Sequence, residues 1–312
     1  MNRRFWIFLR VLPLWIVAVL VVPAALADDD DDDRGRRRGE LVIPVVDDVR
    51  LDVEIISGRI EIEGWDKSEI RIRTRGGNLE MIHVESQEDW VSIRGAQAGV
   101  DWLPFPVSGG NVDLRIDVPR GAHIEAKTIN GPIRAKDVEG RIAFQAANGE
   151  IDVRGKPLEA QLETVNARIE FRGECARMDA RTVNGRIDLR GVHGEVVATT
   201  MNGSIQVRAE KLDRVDLRTL AGSIELEGEL LPGARVFGKT YSGSIALRLP
   251  EDTSADFDVQ SFSGSIRNDL GPAGDSKKHR RPGQRLEFEA GDGDGRVILE
   301  TFSGSVRIRA DD

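Results

Sequence analysis

Five asparagines recur at intervals of 18 residues: Asn130, Asn148, Asn166, Asn184 and Asn202, in the phrases INGPI, ANGEI, VNARI, VNGRI and MNGSI. A primary amide carries donors and an acceptor together, so equally spaced amides brought side by side can bond to one another in a row. The phrase continues with Ala221, Ser242, Ser263 and Ser303 in the asparagine slot, at spacings of 19, 21, 21 and 40 residues. Two charged series keep the same period. Asp152, Glu170, Asp188, Gln206 and Glu225 form one, and Arg154, Arg172, Arg190 and Arg208 form the next. Glycan hydrolysis needs two carboxyl groups flanking one bond; an acidic column beside a basic one is instead expected to compensate itself. The reading of these series is a solvated, self-neutralised face.

The remaining reactive groups do not form a constellation. His83, His123, His193 and His279 fall at unrelated places in the repeat, and Cys175 is the only cysteine, so no intramolecular disulfide is possible. It lies in the connector GECAR with no base nearby in sequence. Asp292 and Asp294 in GDGDG occur as a single pair, too few ligands for a calcium loop, and a Gly-rich turn is expected there. No catalytic residue, cofactor site or metal site is therefore expected.

The elements that position these residues follow from the period. With the slot as zero, the residues two, four and six before it and three and five after it are predominantly apolar or small in nearly every copy. Around Asn202 they are Val196, Ala198, Thr200, Ile205 and Val207; around Ser303 they are Val297, Leu299, Thr301, Val306 and Ile308. Alternation on both sides of a glycine corner describes two strands joined by a tight bend. Glycine follows the slot in every copy but one, Ala167, and is expected to supply positive φ. Eighteen residues are too few for a strand, a helix and a return. The fold class is thus all-β, a single-stranded parallel β-helix (β-solenoid) of about 18 residues per coil, with an N-terminal β-rich cap. A lone coil cannot bury enough to fold, so neighbours must stack. Nine coils at ~4.8 Å spacing span on the order of 40 Å. Asn130, Asn148, Asn166, Asn184 and Asn202 become a structural ladder, with Thr128, Thr164, Thr182, Thr200, Thr219, Thr240 and Thr301 running beside it.

One column breaks the pattern. The residue just before the slot is Ile129, Ala147, Val165, Val183, Met201, Leu220, Tyr241, Phe262 and Phe302, apolar throughout although strict alternation points it outward. Either the corner turns these side chains in, or another segment covers them, or they form an exposed stripe that binds a partner. Met201, Leu220, Tyr241, Phe262 and Phe302, the bulkiest, are the candidate binding stripe.

Residues 1–27 place Arg3, Arg4 and Arg10 before an apolar run from Val11 to Leu26 and end in Ala25-Leu26-Ala27, the pattern of a secretory signal peptide. Secretion across the inner membrane, to the periplasm, cell envelope or exterior, is expected, with no integral membrane span after cleavage. Loss of that segment removes three basic residues and leaves 41 basic against 53 acidic, a net charge of -12. Such an acidic chain is a poor partner for nucleic acid. Residues 28–40 read as a disordered charged linker, 41–120 as the cap or first coils, and 121–312 as the solenoid, interrupted by a loop and hairpin at 267–295. Trp65, Trp90 and Trp102, with Phe105, are expected to fill the cap core or to form a carbohydrate-stacking platform. The final strand ends at Asp312 with almost no cap after it, which leaves edge or end-to-end association open, although Arg309, Asp311 and Asp312 discourage pairing there.

The phrases VPRGAHIEAKTINGPI, TVNGRIDLRG and VILETFSGSVRIR resemble the candidate-adhesin, β-strand-repeat family of bacterial cell-envelope proteins, over roughly residues 41–310. That resemblance implies a right-handed β-solenoid and an adhesive or scaffolding role, and brings no catalytic residues. Polymer-forming β-helices of the bactofilin kind are a looser likeness. The expected function is a non-enzymatic secreted envelope protein that binds through its solenoid surface, its partner an unidentified envelope protein or polysaccharide, with self-association open. The alternatives are a polysaccharide-degrading β-helix enzyme and an envelope stress sensor. A hexapeptide acyltransferase is disfavoured because the apolar residues come as two alternating clusters rather than every sixth position.

Overall fold

The computed structural model describes residues 40–75, 79–95, 111–270 and 283–311, and the proposed signal peptide, the charged linker to residue 39, Trp102, Phe105 and the Lys277–Arg281 cluster lie outside them. Among the described residues the chain is all-β: 22 strands joined in one hydrogen-bonded sheet, with a single short 3-10 turn at Leu79–Met81. Alternation accounts for the strands. In Ile205–Ala221, Val215, Leu217 and Thr219 are buried while Asp216 and Arg218 reach the surface side.

Equivalent places in the repeat lie over one another. After the corner, Ile151 pairs in parallel with Ile133 and with Ile169, and the column runs on through Ile187, Ile205, Ile224 and Ile245 to Val306. Before the corner, Ile124 is followed by Ile142, Ala160, Met178, Val196, Val215, Val236 and Val297. Their side chains form one continuous core, in which Phe144 and Phe171 are the largest fully buried groups. The Cys175 thiol is packed among them. It donates to the Arg177 carbonyl oxygen at 3.1 Å, and burial pushes its pKa up to about 11.

The stack is longer than the nine motif copies. Residues 50–65 sit directly on 123–136, Leu51 against Ile124, Ser57 against Asn130 and Ile60 against Ile133. Trp90–Gly95 and Asp113–Pro119 stack in turn on the outer side of 50–65. Antiparallel strands close this end: Glu69–Arg75 on Asp113–Pro119, Glu40–Pro44 on Glu69–Arg75, and Ile82–Ser86 on Trp90–Gly95. Of the aromatic residues placed in the cap, Trp65 donates its indole N–H to the Glu69 carbonyl oxygen and lies beneath Lys67 and Arg71, and Trp90 donates to Asp52.

At the other end the order of the chain is not the order of the stack. Gly295–Ser303 lies between residues 235–242 and Ala255–Ser263, and Val306–Asp311 lies between Ile245–Pro250 and Ile266–Asn268. Gly295–Ser303 is therefore internal, and Val306–Asp311 is paired on both sides over Val306–Ile308, so the terminal edge is open only from Arg309 on among the described residues. After Pro250 the chain passes over one level, lays down Ala255–Ser263, covers it with the antiparallel strand Gln284–Ala290, and returns to fill the level it had passed. The return is a turn at GDGDG, where Gly291 and Gly293 take φ of 58° and 72° and the Ser254 hydroxyl accepts from the amides of Asp292 and Asp294. The arrangement covers the edge of the last parallel strand before the corner, which would otherwise be open to pairing with another chain.

Candidate binding surface

The corner shared by the levels is built from two inward or backbone devices and presents two rows outward. Thr164, Thr182, Thr200, Thr219, Thr240 and Thr301 are buried, and each donates its hydroxyl to the corner carbonyl of the level below, at 3.0–3.2 Å. Threonine is thus an inward residue whose one polar group is satisfied locally. Ser261 does the same toward Gly304 at 2.9 Å. Thr128 is the exception: its buried hydroxyl has no partner.

Glycine after the slot serves closeness more than dihedral freedom. A Cβ on Gly149 or Gly203 would stand 1.8 or 1.9 Å from the carbonyl oxygen of Gly131 or Gly185. Neither of these glycines has a left-handed φ, whereas Gly131 and Gly243 do. The expectation of positive φ at every copy is corrected accordingly: at Gly149 and Gly203 the stacked backbones approach so closely that a Cβ would clash unless a level shifts.

The first outward row is the amide ladder. Asn148 donates its Nδ2 to Asn130 Oδ1 at 3.1 Å, and Asn166, Asn184 and Asn202 each donate to the asparagine below at 2.9 Å. All five are exposed. Asn166→Ala removes one bond given and one received, at a surface where water can replace both. A loss of about 1 kcal/mol is expected, a fall in Tm of ~2–4 °C for a chain of this size. Thermal unfolding followed by circular dichroism measures it, and a fall beyond ~10 °C would mean that the ladder carries the weight of a core residue.

The second row is the apolar column, and it faces out. Met201, Leu220, Tyr241, Phe262 and Phe302 are 42–54% exposed, as are Ile129 and Val165 at 50% and 42%. Strict alternation holds through to the slot: the bulky side chains of this column are not turned inward, and Ala147 and Val183 are half-buried. Ile56, before Ser57, joins it at the N-terminal end; its signal in sequence is the phrase ISGRI, separated from the next copy by 73 residues rather than 18. In the order of the stack the rungs run Ile56, Ile129, Ala147, Val165, Val183, Met201, Leu220, Tyr241, Phe302, Phe262. The Tyr241, Phe302 and Phe262 rings lie parallel, with centroids 4.7 and 4.6 Å apart. Stacked on each other, they turn their edges rather than their faces to solvent.

Grooves flank the stripe. One of about 940 Å³ borders its aliphatic half, lined by Ile56, Ile129, Ala147, Val165 and Val183, with Arg94, paired on Glu54, and His83, paired on Arg94, also in its lining. A second of about 520 Å³ follows the aromatic half beside Lys239, Gln260, Arg285 and Glu300. The charged columns beyond the corner are paired along the strand: Arg154 with Asp152 at 3.4 Å, Arg190 with Asp188 at 2.9 Å, and Arg172 with Glu170. This face is self-neutralised, but it is not simply solvated. Glu170 and Asp188 are buried, because the long arginine side chains reach back over the shorter acids.

Stacked strand pairs, a ladder at the corner and a long exposed stripe define an all-β, repeat-like protein. The chain belongs to the Toastrack DUF4097 family, whose profile matches residues 38–309. Among solved structures it is similar to a candidate adhesin from Parabacteroides distasonis, at 11% identity, covering 87% of this chain and 97% of that one with a TM-score of 0.33. A candidate adhesin from Bacteroides fragilis is similar at 11% identity, over 88% and 98% of the two chains, with a TM-score of 0.32. A candidate lipid-binding protein from Parabacteroides distasonis is similar at 12% identity, over 87% and 96%, with a TM-score of 0.26. No curated protein matches the chain.

Proposed function

We propose that this chain is a non-enzymatic, adhesin-like binding module of the bacterial cell envelope, a right-handed parallel β-helix of about 18 residues per coil whose outward apolar stripe is the binding surface. The observation that carries the reading is a continuous column of ten apolar rungs from Ile56 to Phe262, eight of them exposed and Ala147 and Val183 half-buried, on a chain rich in charge elsewhere. Water penalises such a contiguous strip, and unoccupied strips of that extent mark interaction sites. Parallel pairing at an 18-residue offset supports the coil, the Arg3–Ala27 pattern supports export, and the resemblance supports the hand. Asp152, Glu170 and Asp188 of the periodic column are held by arginines on the same strand and Glu225 by Arg248 of the next, which favours a passive surface over a glycan-cleaving pair.

The test replaces Tyr241, Phe262 and Phe302 together by Ser in the full chain. Co-sedimentation with envelope fractions of the source cells is expected to fall at least tenfold while the protein stays folded. Each lost ring contact costs about 1 kcal/mol, so Tm drops by several degrees. Unchanged binding, or a collapsed fold, overturns the stripe as the binding surface.

A further inference from the structure

We infer that the partner of the stripe is a second copy of this chain, lying antiparallel across it on a two-fold axis between the Val183 and Met201 rungs. This rests on the reading of the stripe as a binding surface and adds what it binds.

The stripe is graded in size. Its first five rungs are Ile56, Ile129, Ala147, Val165 and Val183, bordered by the larger groove; its last five are Met201, Leu220, Tyr241, Phe302 and Phe262. An antiparallel pair sets large against small at every level: Phe262 on Ile56, Phe302 on Ile129, Tyr241 on Ala147, Leu220 on Val165 and Met201 on Val183. A parallel pair sets Tyr241 and the phenylalanines on themselves, and these hold the small halves apart. Close packing without voids selects the first arrangement.

Charge agrees with size. The outward residues two before each rung are, in stack order, Glu54, Lys127, Gln145, Glu163 and Arg181, then Thr199, Arg218, Lys239, Glu300 and Gln260. Reversed against themselves, they bring Lys127 to Glu300 and Glu163 to Arg218, and no like charges meet. On the other side of the corner the aliphatic half carries Arg59, Pro132, Glu150, Arg168 and Arg186, and the aromatic half carries Ser204, Ser223, Ser244, Ser305 and Ser265. Reversal lays every charge of this row over a serine. Ten rungs at ~4.8 Å and a strip on the order of 15–20 Å wide present about 700–950 Å², close to the ~800 Å² per partner of a stable interface.

The test uses disulfide trapping with the full chain. Ala147→Cys and Tyr241→Cys are made as separate proteins, with the unsubstituted chain, which holds only the buried Cys175, as the control. The two new positions lie five rungs apart, ~24 Å, too far to bridge when each variant pairs with itself in the antiparallel manner. Mild oxidation of a mixture is expected to give a cross-linked heterodimer at least tenfold above the homodimer of either variant alone. Homodimers of each variant alone would mean parallel pairing and overturn the inference. So would a sedimentation velocity run showing only monomer at tens of micromolar. In that monomeric case, stripe-dependent binding to envelopes from cells lacking this protein would leave the proposed function standing and remove only the second copy; no envelope binding at all would remove both.

Discussion

Gly203→Val is expected to unfold the middle of the stack. A Cβ at this position would stand 1.9 Å from the Gly185 carbonyl oxygen, and that atom is backbone, which cannot swing aside. Both neighbouring levels are fixed: the Gly203 amide donates to the Ala221 carbonyl oxygen at 3.0 Å, and Asn202 donates to Val183 at 2.8 Å. Relief therefore requires parting the pairs that begin at Ile187 and Ile205. Ala167, one level below Gly185, shows that a corner of this fold can admit a methyl group; valine adds two carbons beyond it. A loss above ~4 kcal/mol is expected, in the range of the severest single substitutions, read as the free energy of urea unfolding. Gly233→Ala is the comparison. Gly233 has φ of 77° and no neighbour within 4 Å, so only backbone strain applies and about 1 kcal/mol is expected. A loss below ~1 kcal/mol at Gly203, or equal losses at the two sites, would sink the account of why glycine stands at the corner.

The period was legible because it is a property of spacing. Equal offsets between Asn130 and Asn202 place like residues over like, and neither the wall positions nor the amide ladder needs any information beyond that offset. The level order at the C-terminal end was not legible for the same reason. Ser303 has the same local phrase as Ser263, so it fits the register of Ser242 and Ser263 alike, and nothing in the phrase says which face of the stack it joins. That choice is made by the covering strand Gln284–Ala290, through Phe288 stacked on Phe257 at 4.4 Å and Arg285 bonded to Asp258 at 2.7 Å. Arg285 also holds the Asp258 carboxyl below the usual carboxylate range. The exposure of the apolar column was half legible. Alternation pointed it outward and hydrophobicity argued against, and the local phrase alone does not weigh those two.

Removal of residues 295–312 is expected to release everything between Pro250 and Asp294 from the stack. In a plain linear array the last repeat is the one that can be lost with least effect, because each unit touches only its neighbours. Here, among the described residues, Gly295–Ser303 and Val306–Asp311 are the strands that pair the level of 235–250 with that of 255–268. Without them, Ala255–Ser263 keeps only its antiparallel partner Gln284–Ala290, and an isolated two-stranded hairpin is marginal in water. Amide exchange at residues 255–263 and 284–290 is therefore expected to rise to the unprotected limit, while residues 123–221 stay protected. The opposite deletion separates this from general damage. Joining Pro250 to Gly295 through a short Gly-Ser linker discards 251–294 and leaves 295–311 in its present register on 235–250, so those amides are expected to stay protected. Its newly open edge should then draw chains together, seen as concentration-dependent sedimentation. Continued protection of 255–263 after removal of 295–312 would mean that the levels follow the order of the chain, and the internal place of Gly295–Ser303 would have to be given up.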